Sequence, residues 1–163
     1  MRIAFYPCCA EDFEMPTRLL SDYVDHIIFC DKNPTIRSPK NSRQVTATVQ
    51  LIRAPAQDAV RTIPPINVLF YRRDNPEGEG GSGLFVLGDV FLRPLMGNFC
   101  IDGGLLITDG SNSRGGNFKK MISASGLQKF NRHFSASSHQ PLLSEYGLWC
   151  IDVSAHQVRS EKE

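Results

Sequence analysis

The sequence has no apolar run approaching the ~18 residues of a membrane-spanning helix, so a helical membrane protein is excluded. Neither sign of charge is in surplus. Lys+Arg 18 against Asp+Glu 17 leaves a formal charge of +1, which gives no electrostatic push toward nucleic acid or an anionic membrane surface. There is no C-x-x-C and no pairing of Cys with His at zinc spacing, so a metal site is not expected. A Walker loop, a G-x-S-x-G elbow and a Cys-x5-Arg phosphatase loop are also missing. The first residues, Met1 to Pro7, are too short an apolar stretch for a signal peptide and are followed by acids. A cytoplasmic location is therefore expected.

What is present fits one globular domain. The chain has 163 residues, 41% hydrophobic and 21% charged, a size that buries about 70% of the unfolded surface without staples. A single domain is expected over 1–158, with a frayed polar tail at 159–163. Five cysteines, an odd number, lie at 8, 9, 30, 100 and 150. Cys30, Cys100 and Cys150 sit in apolar runs and read as buried, reduced thiols.

Short apolar runs alternate with helical patterns. Arg2–Cys9 reads as a buried strand. Pro16 suits a first helical turn, and Phe13, Leu19, Leu20, Tyr23 and Val24 share one face, predicting a helix over about 14–24. His26–Cys30 is a second strand, and strand–helix–strand over so short a span suggests a parallel βαβ unit. Period-two alternation over 45–52 gives a third strand, with a helical turn near 57–63 and a central apolar strand over 66–71. A glycine-rich acidic loop from Asp74 to Gly83 precedes a helix over 84–96. A strand at 105–108, a short helix at 118–124, and strands over 130–135 and 148–153 complete the chain. The fold class expected is α/β: one open, mostly parallel, Rossmann-like sheet of about seven strands, helices on both faces, and an antiparallel addition at one edge.

This order of elements resembles the class I S-adenosylmethionine-dependent methyltransferases. The resemblance is carried by the helix ending at Met96, the Gly103-Gly104 pair before a Leu-Leu-Ile strand, and two terminal strands, the last reading Tyr146-Gly147-Leu148-Trp149-Cys150-Ile151. It implies that Asp31, an acid closing the second strand, holds a cofactor ribose, and that Cys8, Cys9, Ala10 and Asp12 line the cofactor. The sequence departs from the family after the first strand. There the turn reads Tyr6-Pro7-Cys8-Cys9-Ala10-Glu11-Asp12, without the glycine that lets backbone approach a ligand closely. The span 32–65 is also short for a helix, a strand and a connection.

Ligands of open parallel sheets bind beyond the carboxyl ends of the strands, where strand order reverses. Those ends carry Cys8, Cys9, Glu11, Asp12, Asp31, Arg72, Arg73, Asp74, Asp109, Ser111 and Asn112. Cys8, Cys9, Asp12 and Asp31 of these, with Ala10, would meet a cofactor, and Arg72, Arg73, Asp74, Asp109, Ser111 and Asn112 a substrate or ligand. The plain alternative is that turn residues are polar wherever strands end. Gly78-Glu79-Gly80-Gly81-Ser82-Gly83 matches G-x-G-x-x-G between a strand and a helix. Glu77 and Glu79 would nevertheless repel a pyrophosphate, and a surface loop or lid is the plainer reading. Cys8-Cys9 could present a nucleophile, but Glu11 and Asp12 would raise its pKa, and His133 and His139 fall near a distant strand. His26 reads as solvating the turn before its strand.

Two functions follow. The first is a non-catalytic protein of methyltransferase-like fold that binds a small molecule or a protein, with no cofactor. The second is an S-adenosylmethionine-dependent methyltransferase, or another nucleotide-binding enzyme, with a non-standard cofactor loop. Side chains at Cys8, Cys9 and Ala10, and the N–H missing at Pro7, favour the first, with no S-adenosylmethionine bound below millimolar concentration.

Overall fold

A computed structural model of the chain describes residues 1–39, 45–72, 89–109, 134–139 and 143–154. The elements are β1 (Ile3–Pro7), α1 (Glu14–Leu20), β2 (His26–Asp31), β3 (Thr48–Arg53), α2 (Ala56–Ala59), β4 (Val68–Tyr71), α3 (Asp89–Gly97), β5 (Gly104–Thr108), β6 (Phe134–Ala136), a 3-10 turn (Ser144–Tyr146) and β7 (Trp149–Val153). The strands form one sheet in the order β3-β2-β1-β4-β5-β7-β6. β1 pairs in parallel with β2 and β4, β2 with β3, and β4 with β5. β7 runs antiparallel to both β5 and β6. The expected α/β architecture is therefore present, with β1 and β4 at the sheet centre.

Burial follows from the alternation of side chains along each strand. Ile3, Phe5, Ile28, Cys30, Leu69, Tyr71 and Leu106 share one core with α2, Leu95, Met96 and Phe99. Ala4, Tyr6, Ile27, Phe29, Val68, Phe70 and Ile107 share the other with Leu20 and Val24 of the α1 region and with Leu143 and Leu148. Both faces of the central strands are covered, which is why their sequences read as continuous apolar runs. β3 stands at the edge and keeps an alternation of exposed and half-buried residues.

Several boundaries differ from expectation. The first helix stops at Leu20, four residues early, where the backbone tightens into turns that bring Tyr23 and Val24 N–H groups to the Leu20 carbonyl. Among the described residues no helix stands between β2 and β3. His26 opens β2 rather than solvating a turn: its ring nitrogens lie 2.6 Å from Thr48 Oγ1 and 3.2 Å from Gln50 Oε1 on β3. Cys100 is half-buried, whereas Cys30 and Cys150 are buried, and none of the five cysteines is in a disulfide. The glycine-rich loop 74–83, the expected helix 118–124 and the tail 159–163 lie outside the described residues, as does the start of the helix expected over 84–96. Among the described residues no helix is long and apolar enough to cross a membrane.

The Gly103-Gly104 pair has a steric origin. Gly103 holds φ +85, and a Cβ there would fall on the Val153 carbonyl oxygen. At Gly104 a Cβ would meet the Asn67 carbonyl oxygen and the Phe99 ring. Asn67 in turn receives the Leu105 N–H at its carbonyl and the Ile3 N–H at its side-chain oxygen, 3.0 Å away. β5 thus enters the sheet through backbone contact that only glycine permits. Gly104→Ala is expected to cost about 1–3 kcal/mol or more of stability, the range for overpacking a closed site. A lowered urea midpoint with an unchanged m-value would register the loss, and an unaltered midpoint would contradict it.

Candidate functional site

The carboxyl ends of β1, β2, β4 and β5 lie side by side, and contacts join the β1 turn there to Asp31 and to Arg72. The turn after β1 has an unusual backbone. Cys8 and Ala10 both occupy the left-handed region, at φ 53 and φ 48. An L-residue held there costs roughly 1–2 kcal/mol relative to an ordinary conformation, so something must hold the turn. Two contacts do so from β2. Cys9 N–H donates to the Cys30 carbonyl at 3.1 Å, and Ala10 N–H donates to Asp31 Oδ2 at 2.9 Å. A third bond closes the turn, from Asp12 N–H to the Cys9 carbonyl at 2.9 Å. The other Asp31 oxygen, Oδ1, accepts the Asn33 N–H at 2.9 Å and shapes the turn after β2.

Side chains leave this turn in three directions. Cys8 packs against the core on the α2 and α3 face. Cys9 is buried in the opposite core, on the α1 face. Ala10 is half-buried. Of the three side chains expected to hold a ligand off the backbone, Cys9 is therefore turned fully into the protein and Cys8 in part.

Asp12 faces β4. Its carboxylate accepts Arg72 Nε at 2.6 Å on Oδ2 and Arg72 Nη2 at 2.6 Å on Oδ1, a two-pronged pair. The Tyr6 hydroxyl lies 2.9 Å from Asp12 Oδ2 and 3.0 Å from the Arg72 carbonyl, so its one proton is shared between two acceptors. Tyr6 is buried, and burial together with Asp12 pushes its phenol pKa well up. The hydrogen bonds that Arg72 donates to Asp12 raise its pKa. Both charged side chains remain over a quarter exposed, at 29% and 27%, so water screens the pair and its net contribution is about 1 kcal/mol or less. Its consequence is geometric: it ties the β1 turn to the end of β4.

The Cys9 and Cys30 thiols are poor nucleophiles. Burial, then Asp31, pushes the Cys9 pKa well up. Burial, then Cys8 and Asp31, pushes Cys30 up to about 12. The acid acting on these thiols is thus Asp31 rather than Glu11 and Asp12. His139 stacks edge-on against Tyr23 at 5.9 Å, beyond α1 and away from the β1 turn. Among the described residues no group of three His, Cys, Asp or Glu is placed to hold a metal ion. Asp109 directly follows β5 at the same end of the sheet. Arg73, Asp74, Ser111, Asn112 and His133 lie outside the described residues. Tyr6 was missed by sequence reading, where it counts as one more apolar residue in the first strand. Its hydroxyl is the one polar side-chain group within Ile3–Pro7, and that was the available signal.

No protein-family model matches the sequence, and no curated protein matches it. Solved structures do. An rRNA methylase from Streptococcus thermophilus superposes with a TM-score of 0.51 at 12% identity, covering 94% of this chain and 88% of that one. This likeness, with the β3-β2-β1-β4-β5-β7-β6 order and the antiparallel β7, decides the fold. The chain has the class I methyltransferase fold. A fibrillarin/Nop5p complex gives a TM-score of 0.51 at 10% identity over 94% of this chain and 72% of that one. A spermidine synthase in complex with the transition state analogue AdoDATO gives 0.51 at 13% identity over 95% of this chain, which spans 53% of that one. In this methyltransferase fold the β1 turn and the β4 end flank the point where strand order reverses, between β1 and β4, and Asp31 closes the next strand, β2.

Two outcomes follow from the turn. Replacing Ala10 by glycine removes a left-handed alanine, so Ala10→Gly is expected to leave the fold intact and raise stability by about 1 kcal/mol in urea titration. A destabilised variant would contradict the strain. The thiols set a pH dependence. The Cys30 pKa rises from 9.0 to about 12 on folding, so the folded state keeps a proton that the unfolded state loses. Stability is complete below pH ~9 and falls as pH rises toward ~12, by up to about 1.4 kcal/mol per pH unit for each such group. Cys9 and Tyr6 add in the same direction. Urea midpoints should decline above pH ~9, and less steeply in Cys30→Ala; equal slopes in the two proteins would refute this origin.

Proposed function

We propose that this chain binds a nucleoside cofactor of the S-adenosylmethionine type at the β1 turn and Asp31, and serves as a methyltransferase toward a small molecule. The observation that carries the reading is the left-handed backbone of Cys8 and Ala10 cinched to Asp31. Strained backbone persists where the surroundings over-determine it, and such outliers concentrate at ligand sites. Here the strain gives an unglycinated turn the path that glycine adopts readily, with the cysteine side chains packed into the two cores.

The residues fit the cofactor. Each Asp31 oxygen accepts one backbone N–H, and each retains acceptor capacity for a ribose hydroxyl. Those two N–H bonds also fix the carboxylate's orientation before any ligand arrives. The Asp12–Arg72 pair neutralises one of the acids beside the turn, which removes much of the repulsion that Asp12 would exert on a ligand carboxylate. When bound, S-adenosylmethionine supplies an electrophilic methyl group on a sulfonium. The chain's share is to bind, orient and exclude water.

A second reading is a ligand-binding protein without catalysis. It is favoured by Arg72 and Asp12, which occupy each other at the β4 end with a two-pronged bond, where an acceptor-activating group would be wanted.

Calorimetric titration with S-adenosylhomocysteine separates binding from its absence. The expected result is saturable binding that Asp31→Ala weakens by about 2–5 kcal/mol, the loss of charged hydrogen bonds and the stranding of ligand hydroxyls. No heat and no thermal upshift at a concentration a hundredfold above a micromolar Kd, where linkage requires about 2.7 kcal/mol, would overturn the reading. Binding with no methyl transfer to a panel of small-molecule nucleophiles would favour the second.

A further inference from the structure

Three thiols surround the junction of β1 and β2, and two of them are on one face of the sheet. Pro7 stands opposite Cys30 in the parallel register. Cys8 follows Pro7, turns left-handed, and packs its side chain against the same core cluster that contains Cys30. Cys9 packs into the opposite core, although its N–H bonds the Cys30 carbonyl. Adjacent strands stand about 4.8 Å apart, so a residue one step beyond the register partner falls within the usual Cα separation of a disulfide, about 4.4–6.8 Å. Exposure differs between the two: Cys8 is half-buried and Cys30 is fully buried.

We propose that Cys8 and Cys30 form a reversible disulfide under hydroperoxide oxidation, joining the β1 turn covalently to β2. The Cys8 thiolate attacks one peroxide oxygen; the S–O bond forms as the O–O bond breaks, and the leaving hydroxide takes a proton to become water. Cys8 is then a sulfenic acid. The Cys30 sulfur attacks the Cys8 sulfur; the S–S bond forms as the S–OH bond breaks, and the departing hydroxide carries off the Cys30 proton as a second water. Two thiols lose two electrons and two protons, and one peroxide becomes two waters. Burial keeps the Cys30 thiol protonated, which slows this second step and lengthens the life of the sulfenic acid on Cys8.

The bond would pin covalently the turn whose Cys9 and Ala10 N–H groups donate to the Cys30 carbonyl and to Asp31. Its formation is read by mass and does not depend on any ligand binding at the turn.

Trypsin cuts after Arg2, Arg18 and Lys32, which separates the peptide bearing Cys8 and Cys9 from the peptide bearing Cys30. The reduced, desalted chain is treated with one equivalent of hydrogen peroxide and mapped without reductant. The expected product is a cross-linked pair of these peptides, lighter than their sum by two hydrogens and split by dithiothreitol. Early samples should carry a dimedone adduct on Cys8. The cross-link should vanish in Cys8→Ser and persist in Cys9→Ser. A cross-link that survives Cys8→Ser, a bond between Cys8 and Cys9 inside one peptide, or no cross-link in the wild-type map would each overturn the proposal.

Discussion

Covering both faces of the central strands leaves polar chemistry no place except the strand ends. β1, β2, β4 and β5 bury nearly every side chain they carry. A charged or hydrogen-bonding group within them would be stranded at a cost of a few kcal/mol. The one polar group that β1 does carry inside, the Tyr6 hydroxyl, is tolerated because it reaches to the strand end and meets Asp12 and the Arg72 carbonyl there. Among the described residues, the polar candidates Asp12, Asp31, Arg72 and Asp109 therefore stand at or just beyond strand ends.

The β1 turn shows how that packing substitutes for composition. A glycine turn reaches left-handed φ values at little steric cost. Here cysteine and alanine reach them under constraint, with Cys8 wedged against one core, Cys9 buried in the other, and the intervening backbone tied to Cys30 and Asp31. One set of contacts shapes the turn, depresses thiol acidity and orients the Asp31 carboxylate. The turn is also tied sideways, through Asp12 and Arg72, to the end of β4. Its geometry is thus shared by three strands that are not consecutive in the chain, and a change in any of them reaches the others.

Much of the architecture was legible. Continuous apolar runs at 2–9, 27–31, 66–72 and 104–109 mark strands with both faces covered, and they are parallel neighbours in the sheet. The placement of Asp31, Arg72 and Asp109 at one end of that sheet follows from the same alternation of strand and connection. What the sequence did not carry was local. Composition tells which residues occupy the β1 turn, not which way they point, and the fold packs Cys8 and Cys9 against opposite cores. Glu11 and Asp12 looked like the acids acting on the thiols because they are neighbours in sequence. Asp31, twenty-two residues from Cys9, acts on it instead, because β2 lies against β1.

The sequence alone determined which segments are strands, that their faces are covered, and which residues sit at the strand ends, because burial and periodicity are properties of a segment and its neighbours in the chain. The order of the strands across the sheet belonged to tertiary packing. β7 inserts between β5 and β6, and Gly104 makes the close approach that lets β5 enter beside Asn67. So did the partners at the site: Ala10 with Asp31, Asp12 with Arg72 and Tyr6, Cys8 with the core around Cys30. Each joins residues distant in the chain, and a hydrogen bond or a packed thiol depends on positions to within fractions of an ångström, which only the assembled sheet supplies.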